Sequence, residues 1–204
     1  MTVTNHSKLG ALYDAARAGL LSFSGPDAAR FAAALPADPG HPRALTPVWK
    51  PGASQLSEAI PRRRFTRLFK MISALSDHLE WRQSYTSAEI GESYLKGMGY
   101  VELIGLRGHY ASSEIAFGIM VVGPDSLYPD HRHLSEEIYA PISGHGAWRY
   151  DFGEWQPGGV GETVHTASNR WHALRTGAET LVMLYAWLGG DLAQKSEIAL
   201  PGTA

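Results

Sequence analysis

Two histidines, a glutamate and a tyrosine close together in the chain are the residues best suited to chemistry. His131 and His133 are separated by one residue, Glu137 follows after three more, and Tyr139 lies two positions later. Side chains two apart on an extended strand point to the same side, so both histidines would face one way. Glu137 and Tyr139 would join that surface after a short turn. Imidazole nitrogens and carboxylate oxygens bind transition metals, so the spacing predicts a small metal-centred active site with a phenol beside it.

The composition limits what such a site can be. The chain has 204 residues, 44% of them hydrophobic and 19% charged, a net charge of -2 and no cysteine. A metal must therefore be held by nitrogen and oxygen ligands, which suit iron, zinc, manganese, nickel or cobalt, and the carboxylate favours Fe(II) or Mn(II). The charge balance gives no reason to expect a nucleic-acid or membrane partner. The segment 1–7 is polar and no long apolar run follows, so we expect a cytoplasmic protein.

The first half of the chain has the apolar spacing of helices. One apolar stripe runs through residues 9–20, and a short helix is expected after Pro26, ending at Pro36. A proline-rich loop follows over 36–55. A longer helix is predicted over 56–82, with its apolar stripe at Phe65, Leu68, Phe69, Ile72, Leu75 and Leu79. Its basic residues between 62 and 70 are better explained as a solvated face than as a DNA-contacting surface, because no helix-turn-helix pair surrounds them.

The second half has the pattern of short strands separated by glycine turns. We predict strands over 99–106, 114–122, 136–143, 146–152, 161–166, 171–175 and 180–188. The fold class is therefore α+β, with a helical N-terminal extension over 1–98 packed on a β-barrel over 99–204. An edge strand or the N-terminal helices could pair two such chains as a homodimer.

The segment from Gly123 to Gly144 resembles the first signature of the cupin superfamily, in which glycine, H-x-H, glutamate and a second glycine recur at this spacing. The resemblance implies a jelly-roll (double-stranded β-helix) barrel and a second signature whose histidine completes the metal site. Two histidines compete for that position. His165 has Asn169 four residues later but no proper register upstream, whereas a start at Gly161 puts His172 in the histidine position.

The register that selects His172 departs from the cupin signature at three positions. Ala167 takes the place of a proline, Asn169 that of a turn glycine, and Thr176 that of the final asparagine. Asparagine tolerates a positive φ better than most residues, so Asn169 is acceptable at such a turn. We therefore choose His172 as the fourth ligand and expect His165 on the opposite face or behind the ligands.

A closer resemblance is to the cupin-type dimethylsulfoniopropionate lyases. It rests on the run from Tyr128 to Tyr139 followed by Trp148, on 171–176, and on 184–191, together with the length and the helical first half. It implies cleavage of dimethylsulfoniopropionate to dimethyl sulfide and acrylate, with a metal on His131, His133, Glu137 and His172. It also implies that Tyr139 is the catalytic base and that Tyr128 lies at the pocket mouth. In some members the tyrosine replaces the first histidine as ligand, so either His131 or Tyr139 could complete the coordination.

This activity would be a carbon–sulfur elimination. A divalent metal binds the substrate carboxylate and acidifies the neighbouring C–H, a base removes the proton, and the neutral sulfide leaves. The sulfonium cannot be hydrogen-bonded and should meet aromatic faces. The candidates are Tyr128, Trp148, Tyr150, Trp171, Tyr185 and Trp187. We favour Tyr128 and at most one tryptophan. Alternatives are another metal cupin enzyme, such as an iron dioxygenase acting on another small carboxylate, or a non-catalytic cupin sensor.

Overall fold

The computed structural model describes residues 3–199. Two parts of the chain lie outside this range. They are Met1 and Thr2, which belong to the polar segment 1–7, and the end of the expected barrel after residue 199. The α-helices are α1 Val3–Leu21, α2 Pro26–Ala33, α3 Thr66–Leu75, α4 Ser87–Ile90 and α5 Glu92–Gly97. Short 3-10 helices occupy Pro51–Glu58, Arg63–Phe65 and Ser76–His78. The strands are β1 Met98–Gly105, β2 Tyr110–Ala111, β3 Ile115–Val122, β4 Leu127–Arg132, β5 Glu136–Ser143, β6 His145–Tyr150, β7 Gln156–Gly159, β8 Val164–Thr166, β9 His172–Thr176, β10 Leu181–Leu188 and β11 Glu197–Ile198.

The strands form two sheets. One has six strands in the order β2-β1-β3-β10-β5-β8, and the other has five in the order β11-β4-β9-β6-β7. The predicted combination of helices and β-sheets in one chain is therefore confirmed. Among the strands described, none of the first sheet pairs with one of the second, so hydrogen bonding does not close the barrel that the sequence led us to expect.

The six-stranded sheet buries both of its faces. On β1, Val101 and Leu103 face one side, whereas Tyr100 and Glu102 face the other, because side chains alternate along a strand. The first side belongs to an apolar core shared with the helices. The second side meets residues of the five-stranded sheet in a separate cluster that includes Met120, Tyr139, Trp148 and Leu174. The space between the two sheets is where the chemistry-bearing side chains lie.

Helices α1 and α3 cover the first of these faces. Tyr13 of α1 contacts Phe117 of β3 edge-on, with ring centroids 6.5 Å apart. Gly19 lets α1 approach closely, since an added Cβ would be 3.2 Å from Leu68 and 3.3 Å from Leu184. The helices and the sheet therefore share a single core.

The predicted helix over 56–82 is wrong in extent. Only Thr66–Leu75 is α-helical, with 3-10 turns on either side. Pro61 forms a bridge to Ser143 at the end of β5, and the Arg62 N–H donates to the Ile142 carbonyl at 3.3 Å. Pairing with the sheet therefore replaces the first turns of the expected helix. The six residues of the predicted stripe are nonetheless all buried.

Other elements were not expected from the sequence. They are α4, α5, the two-residue strands β2 and β11, the strand β7, and the extent of β4, of which only the extended backbone around His131 and His133 was expected. The most consequential is β4, because it carries His131. No helix in the described part of the chain combines the length and apolarity needed to cross a bilayer.

Candidate metal centre

The structure brings four predicted ligands together between the two sheets. His131 is on β4, His133 follows that strand, Glu137 is on β5 and His172 begins β9. His131 and His172 are directly opposite each other in the β4–β9 ladder. One potential ligand atom from each of the four lies within 4.8 Å of the others, and all four side chains are buried. The site is thus assembled from strands of both sheets.

The backbone determines which nitrogen each histidine presents. The Nδ1 atoms of His131, His133 and His172 each lie 2.9 Å from a backbone carbonyl oxygen, those of Pro129, Ser135 and Arg170 respectively. A carbonyl can only accept, so Nδ1 must carry the proton and donate it. In the neutral ring, Nε2 is then left with a lone pair. This arrangement behind metal-binding histidines fixes both the tautomer and the ring orientation.

Glu137 lies at the centre of the cluster. Its Oε2 is 3.2 Å from Nε2 of His133 and 3.2 Å from Nε2 of His172. Its Oε1 accepts a hydrogen bond from Trp187 Nε1 at 2.7 Å. Burial raises the pKa of Glu137, and protonated rings at His133 and His172 would lower it below its usual value. A cation held between these groups would likewise keep the carboxylate ionised.

The donor set therefore fits a divalent cation. With the neutral tautomers, imidazole lone pairs and a carboxylate oxygen face one another at 3.2 Å without a proton between them. A cation at their centre satisfies all of these atoms. Burial, followed by the neighbouring His172, also lowers the pKa of His131 well below the usual value, so its ring is neutral, as a metal ligand must be.

The two predicted catalytic tyrosines are both buried beside this cluster. Tyr139 is two residues after Glu137 on β5, and burial followed by the charge of Glu137 raises the pKa of its phenol well above 10. Tyr128 stacks on His131, with centroids 3.8 Å apart and planes at 12°, and its hydroxyl is 2.9 Å from that of Tyr85. Only 7% of Tyr128 is exposed, so it forms part of the inner wall rather than an open rim.

A cavity extends away from the cluster along the inner face of the six-stranded sheet. It begins at His131, Glu137 and Tyr139 and reaches Tyr185 and Glu102. Of the six aromatic residues expected around a sulfonium, Tyr128, Tyr185 and Trp187 line this cavity, whereas Trp148, Tyr150 and Trp171 do not.

The sequence reasoning missed Tyr100 and Glu102 as lining residues of this cavity. The signal was present for Glu102, which is the one charged residue in the otherwise apolar or uncharged strand Met98–Gly105. A buried strand seldom contains a carboxylate without a reason.

His165 and Glu136 lie away from the candidate ligands. His165 is opposite Ile138 in the β5–β8 ladder, and its Nε2 is 3.0 Å from Glu136 Oε2. Glu136 also pairs with Arg30 of α2 at 2.5 Å, which confirms the salt-bridge interpretation of this glutamate. The preference for His172 over His165 agrees with this geometry.

The turn before His172 has the backbone geometry expected of the glycine position that Asn169 occupies. Asn169 has φ 59°, in the left-handed region. Its N–H donates to the His133 carbonyl at 2.8 Å, and the Ser168 hydroxyl donates to the Leu134 carbonyl at 2.6 Å. The turn therefore connects the segments that carry two of the candidate ligands.

Comparison with known proteins gives a consistent result. Residues 28–183 match the model of the dimethylsulfoniopropionate lyase family. The chain is 29% identical over 151 residues to dimethylsulfoniopropionate lyase DddQ of Ruegeria pomeroyi, a match covering 72% of this chain and 75% of that protein. It is 25% identical over 151 residues to the putative lyase DddL of Cereibacter sphaeroides, covering 71% of this chain and 62% of that longer protein.

Solved structures agree with these matches. A chain from the crystal structures of the dimethylsulfoniopropionate lyases RdDddP and RnDddQII superposes with a TM-score of 0.82 at 27% identity. The match covers 95% of this chain and 98% of that one. The crystal structure of DddQ from Ruegeria pomeroyi superposes with a TM-score of 0.77 at 24% identity, covering 88% and 91%.

Proposed function

Because the chain belongs to the dimethylsulfoniopropionate lyase family, we propose that it is a metal-dependent carbon–sulfur lyase acting on dimethylsulfoniopropionate. The products would be dimethyl sulfide and acrylate. The observation that carries the metal dependence is the buried group of His131, His133, Glu137 and His172, with each Nδ1 bonded to a carbonyl.

The residues of the cavity suit a base-assisted β-elimination. Bound to the four ligands, a divalent ion would act as a Lewis acid toward the substrate carboxylate and would favour the phenolate of Tyr139. Tyr139 then accepts a proton from the carbon next to the carboxylate. The electron pair of that C–H bond forms the carbon–carbon double bond, and the C–S bond breaks with its electrons going to sulfur. Tyr128 and Tyr185 form walls of the cavity in which this step would take place.

The details of coordination belong to this proposal. Three imidazole nitrogens and one carboxylate suit iron, zinc, manganese, nickel or cobalt. Either His131 or Tyr139 completes the set, and the family resemblance allows both. A cytoplasmic location and a homodimer stay predictions from the sequence.

The architecture we propose is a cupin jelly roll over 99–204 with a helical extension over 1–98. Strands β3-β10-β5-β8 in one sheet and β4-β9-β6-β7 in the other support this, since they are the interleaved order of an eight-stranded jelly roll. The shared core of helices and sheet supports packing of the extension on that unit.

The direct test is detection of dimethyl sulfide in the headspace after adding dimethylsulfoniopropionate to the metal-loaded protein. We expect activity in the wild type and a loss of at least about 100-fold in both His133→Ala and Tyr139→Phe. The matched control is His145→Ala, because His145 is an exposed histidine paired with Glu179 on the surface.

The variants also separate the alternatives. The control should keep full activity, and Tyr139→Phe should still bind the metal. Oxygen consumption without dimethyl sulfide, unaffected by Tyr139→Phe, would instead indicate a dioxygenase and contradict the lyase proposal.

A further inference from the structure

One row of residues crosses the six-stranded sheet on its inner face. Glu102 of β1 is opposite Gly118 of β3, which is opposite Tyr185 of β10, which is opposite Tyr139 of β5. Directly paired residues project to the same face of a sheet. Neighbouring strands lie about 4.8 Å apart, so Glu102 is roughly 10 Å from Tyr185 and roughly 14 Å from Tyr139 between backbones.

Gly118 lets β1 approach β3 closely in the middle of this row. An added Cβ would lie 1.8 Å from the Val101 carbonyl oxygen and 3.1 Å from Glu102 Cα, so β3 places no side chain between Glu102 and Tyr185. The β1–β3 register shifts between Glu102 and Ile104, which is a bulge. Bulges beside active sites re-aim a side chain. The Glu102 carboxylate turns back along its own strand to Gly105 and the Arg107 N–H, where it lines the same cavity as Tyr185.

The Glu102 carboxylate is held by the backbone and has no cationic side chain as its partner. Its Oε1 accepts from the Arg107 N–H at 2.7 Å, and only 6% of the residue is exposed. Among residues 3–199, no lysine, arginine or histidine forms an ion pair with it.

The basic side chains near this end of the cavity are engaged elsewhere. Arg82 pairs with Glu80, and Arg107 and Lys195, which both line the cavity, contact other groups. The Arg107 guanidinium donates to the Ala193 carbonyl at 2.9 Å, and Lys195 pairs with Glu89. Glu102 is thus a buried acid that no basic side chain contacts directly, although the charges of Arg107 and Arg82 act on it.

We propose that Glu102 recognises the cationic end of the substrate, so that the cavity selects small zwitterions with a carboxylate at the metal cluster and an onium group at Glu102. This inference rests on the proposed function and deepens it. The sulfonium carries no hydrogen to donate, so a carboxylate and aromatic faces are the groups that can bind it. Tyr100 and Tyr185, whose rings meet edge to face at 6.0 Å, supply those faces.

The electrostatics of the cavity agree with this assignment. Burial raises the pKa of Glu102, and the Arg107 N–H together with the charges of Arg107 and Arg82 offsets only part of that rise. Burial and then the charge of Glu102 raise the pKa of Tyr185, with further contributions from Tyr100 and Glu137. Tyr185 therefore lies in the field of both carboxylates, between the two places where opposite ends of a zwitterion would be held.

The experiment compares two uncleaved ligands of the same shape and different charge. They are 3-(trimethylammonio)propionate, which has a quaternary ammonium group at one end, and 4,4-dimethylpentanoate, which has the same carboxylate and an uncharged tert-butyl group in place of the ammonium. Binding of each to the metal-loaded protein is measured by calorimetry. We expect the wild type to prefer the cationic ligand by about tenfold or more, and Glu102→Gln to bind the two within about twofold. The matched control Glu114→Gln, at an exposed glutamate outside the cavity, should keep the wild-type preference.

Each outcome decides the proposal. Equal binding of the two ligands by the wild type, or an unchanged preference in Glu102→Gln, overturns it. If Glu102→Gln loses both ligands, Glu102→Asp decides, because it keeps the charge: a retained preference supports the proposal and a lost one overturns it. This binding experiment measures no turnover, so it is independent of the headspace test. If the wild type prefers the cationic ligand but releases no dimethyl sulfide in the headspace test, the lyase activity is refuted and the cation site is retained.

Discussion

The indole of Trp187 reaches the candidate metal centre in two ways. Its Nε1 donates to Glu137 Oε1, and its ring stacks on His133 with centroids 4.0 Å apart and planes at 25°. The first contact turns the other carboxylate oxygen toward the histidines, and the second holds one of those imidazoles. Groups behind the ligands of a metal commonly contribute 10–100-fold to its affinity.

Replacing Trp187 by phenylalanine should separate these two contacts. The ring stacking is kept and the hydrogen bond is lost, so we expect metal affinity to fall by about tenfold to 100-fold. Competition with a chromophoric chelator measures it. Trp49→Phe is the control, since Trp49 is 59% exposed. Equal metal affinities in the two variants would show that Trp187 does not orient Glu137.

His109 is a buried histidine that the proposed reaction does not use. Only 1% of it is exposed, and neither ring nitrogen has a hydrogen-bond partner among the described residues. Burial, followed by the charge of Arg82, lowers its pKa from 6.5 to about 4. The folded state therefore holds the neutral ring, whereas the unfolded chain binds a proton below pH 6.5.

This difference predicts how stability changes with pH. Because the folded pKa lies below the unfolded one, stability should be lost as pH falls from about 6.5 to about 4. The phenylalanine variant of His109 keeps an aromatic ring and cannot titrate. Over that interval the wild type should lose on the order of 2–3 kcal/mol more than His109→Phe. Urea denaturation at several pH values tests this, and parallel pH profiles for the two proteins would contradict it.

At the scale of elements, short irregular segments carry as much of the site as the strands do. His133 lies beyond the end of β4, and its position depends on the turn around Asn169. The same turn supplies the Arg170 carbonyl that accepts from His172 Nδ1 at 2.9 Å. A change of backbone conformation at Asn169 would therefore displace two imidazoles together.

A pair of substitutions at Asn169 tests this connection. Valine is strained at φ 59°, so Asn169→Val should cost roughly 1–3 kcal/mol of unfolding free energy and weaken metal binding. Glycine adopts this φ readily, so Asn169→Gly should bind metal almost as the wild type does. Chemical denaturation and metal titration check both. If valine leaves metal affinity unchanged, the turn does not position the ligands.

The sequence predicted what depends on local pattern and missed what depends on distant pairing. The spacing from His131 to Glu137 and the register leading to His172 identified residues that do converge. The helix expected over 56–82 failed because Pro61 and its neighbours pair with the end of β5, which no local pattern reveals. The range of strand β4 was not predicted for a related reason, since its polar sequence LYPDHR has little strand periodicity and it is held by pairing with β9.

Considered as a whole molecule, the protein uses one sheet for two purposes. The outer face of the six-stranded sheet packs on helices, and the inner face lines the cavity. Leu12 of α1 and Ile119 of β3 are fully buried in the same apolar cluster. The helices therefore help to hold the strands in place, and with them the row of residues from Glu102 to Tyr139.

A substitution in a helix should consequently destabilise the entire unit. Leu12→Ala removes a fully buried side chain and should cost about 2–5 kcal/mol. Far-ultraviolet circular dichroism is dominated by the helices, and the fluorescence of the six tryptophans, four of which follow residue 140, reports mostly on the strand region. We expect both signals to shift together to lower denaturant, with a single transition. Separate midpoints would mean that helices and sheets unfold independently. Leu21→Ala is the control, since Leu21 is 51% exposed.

The three carbonyl oxygens behind the histidines have a practical consequence for anyone handling this protein. Because these carbonyls bind the Nδ1 atoms, the imidazole rings should keep their orientation when the ion is removed, and chelation should leave a folded apoprotein. Such a protein could be reconstituted with one transition metal after another. Differences in turnover along that series would then report the chemistry of each ion and not the repair of a collapsed pocket.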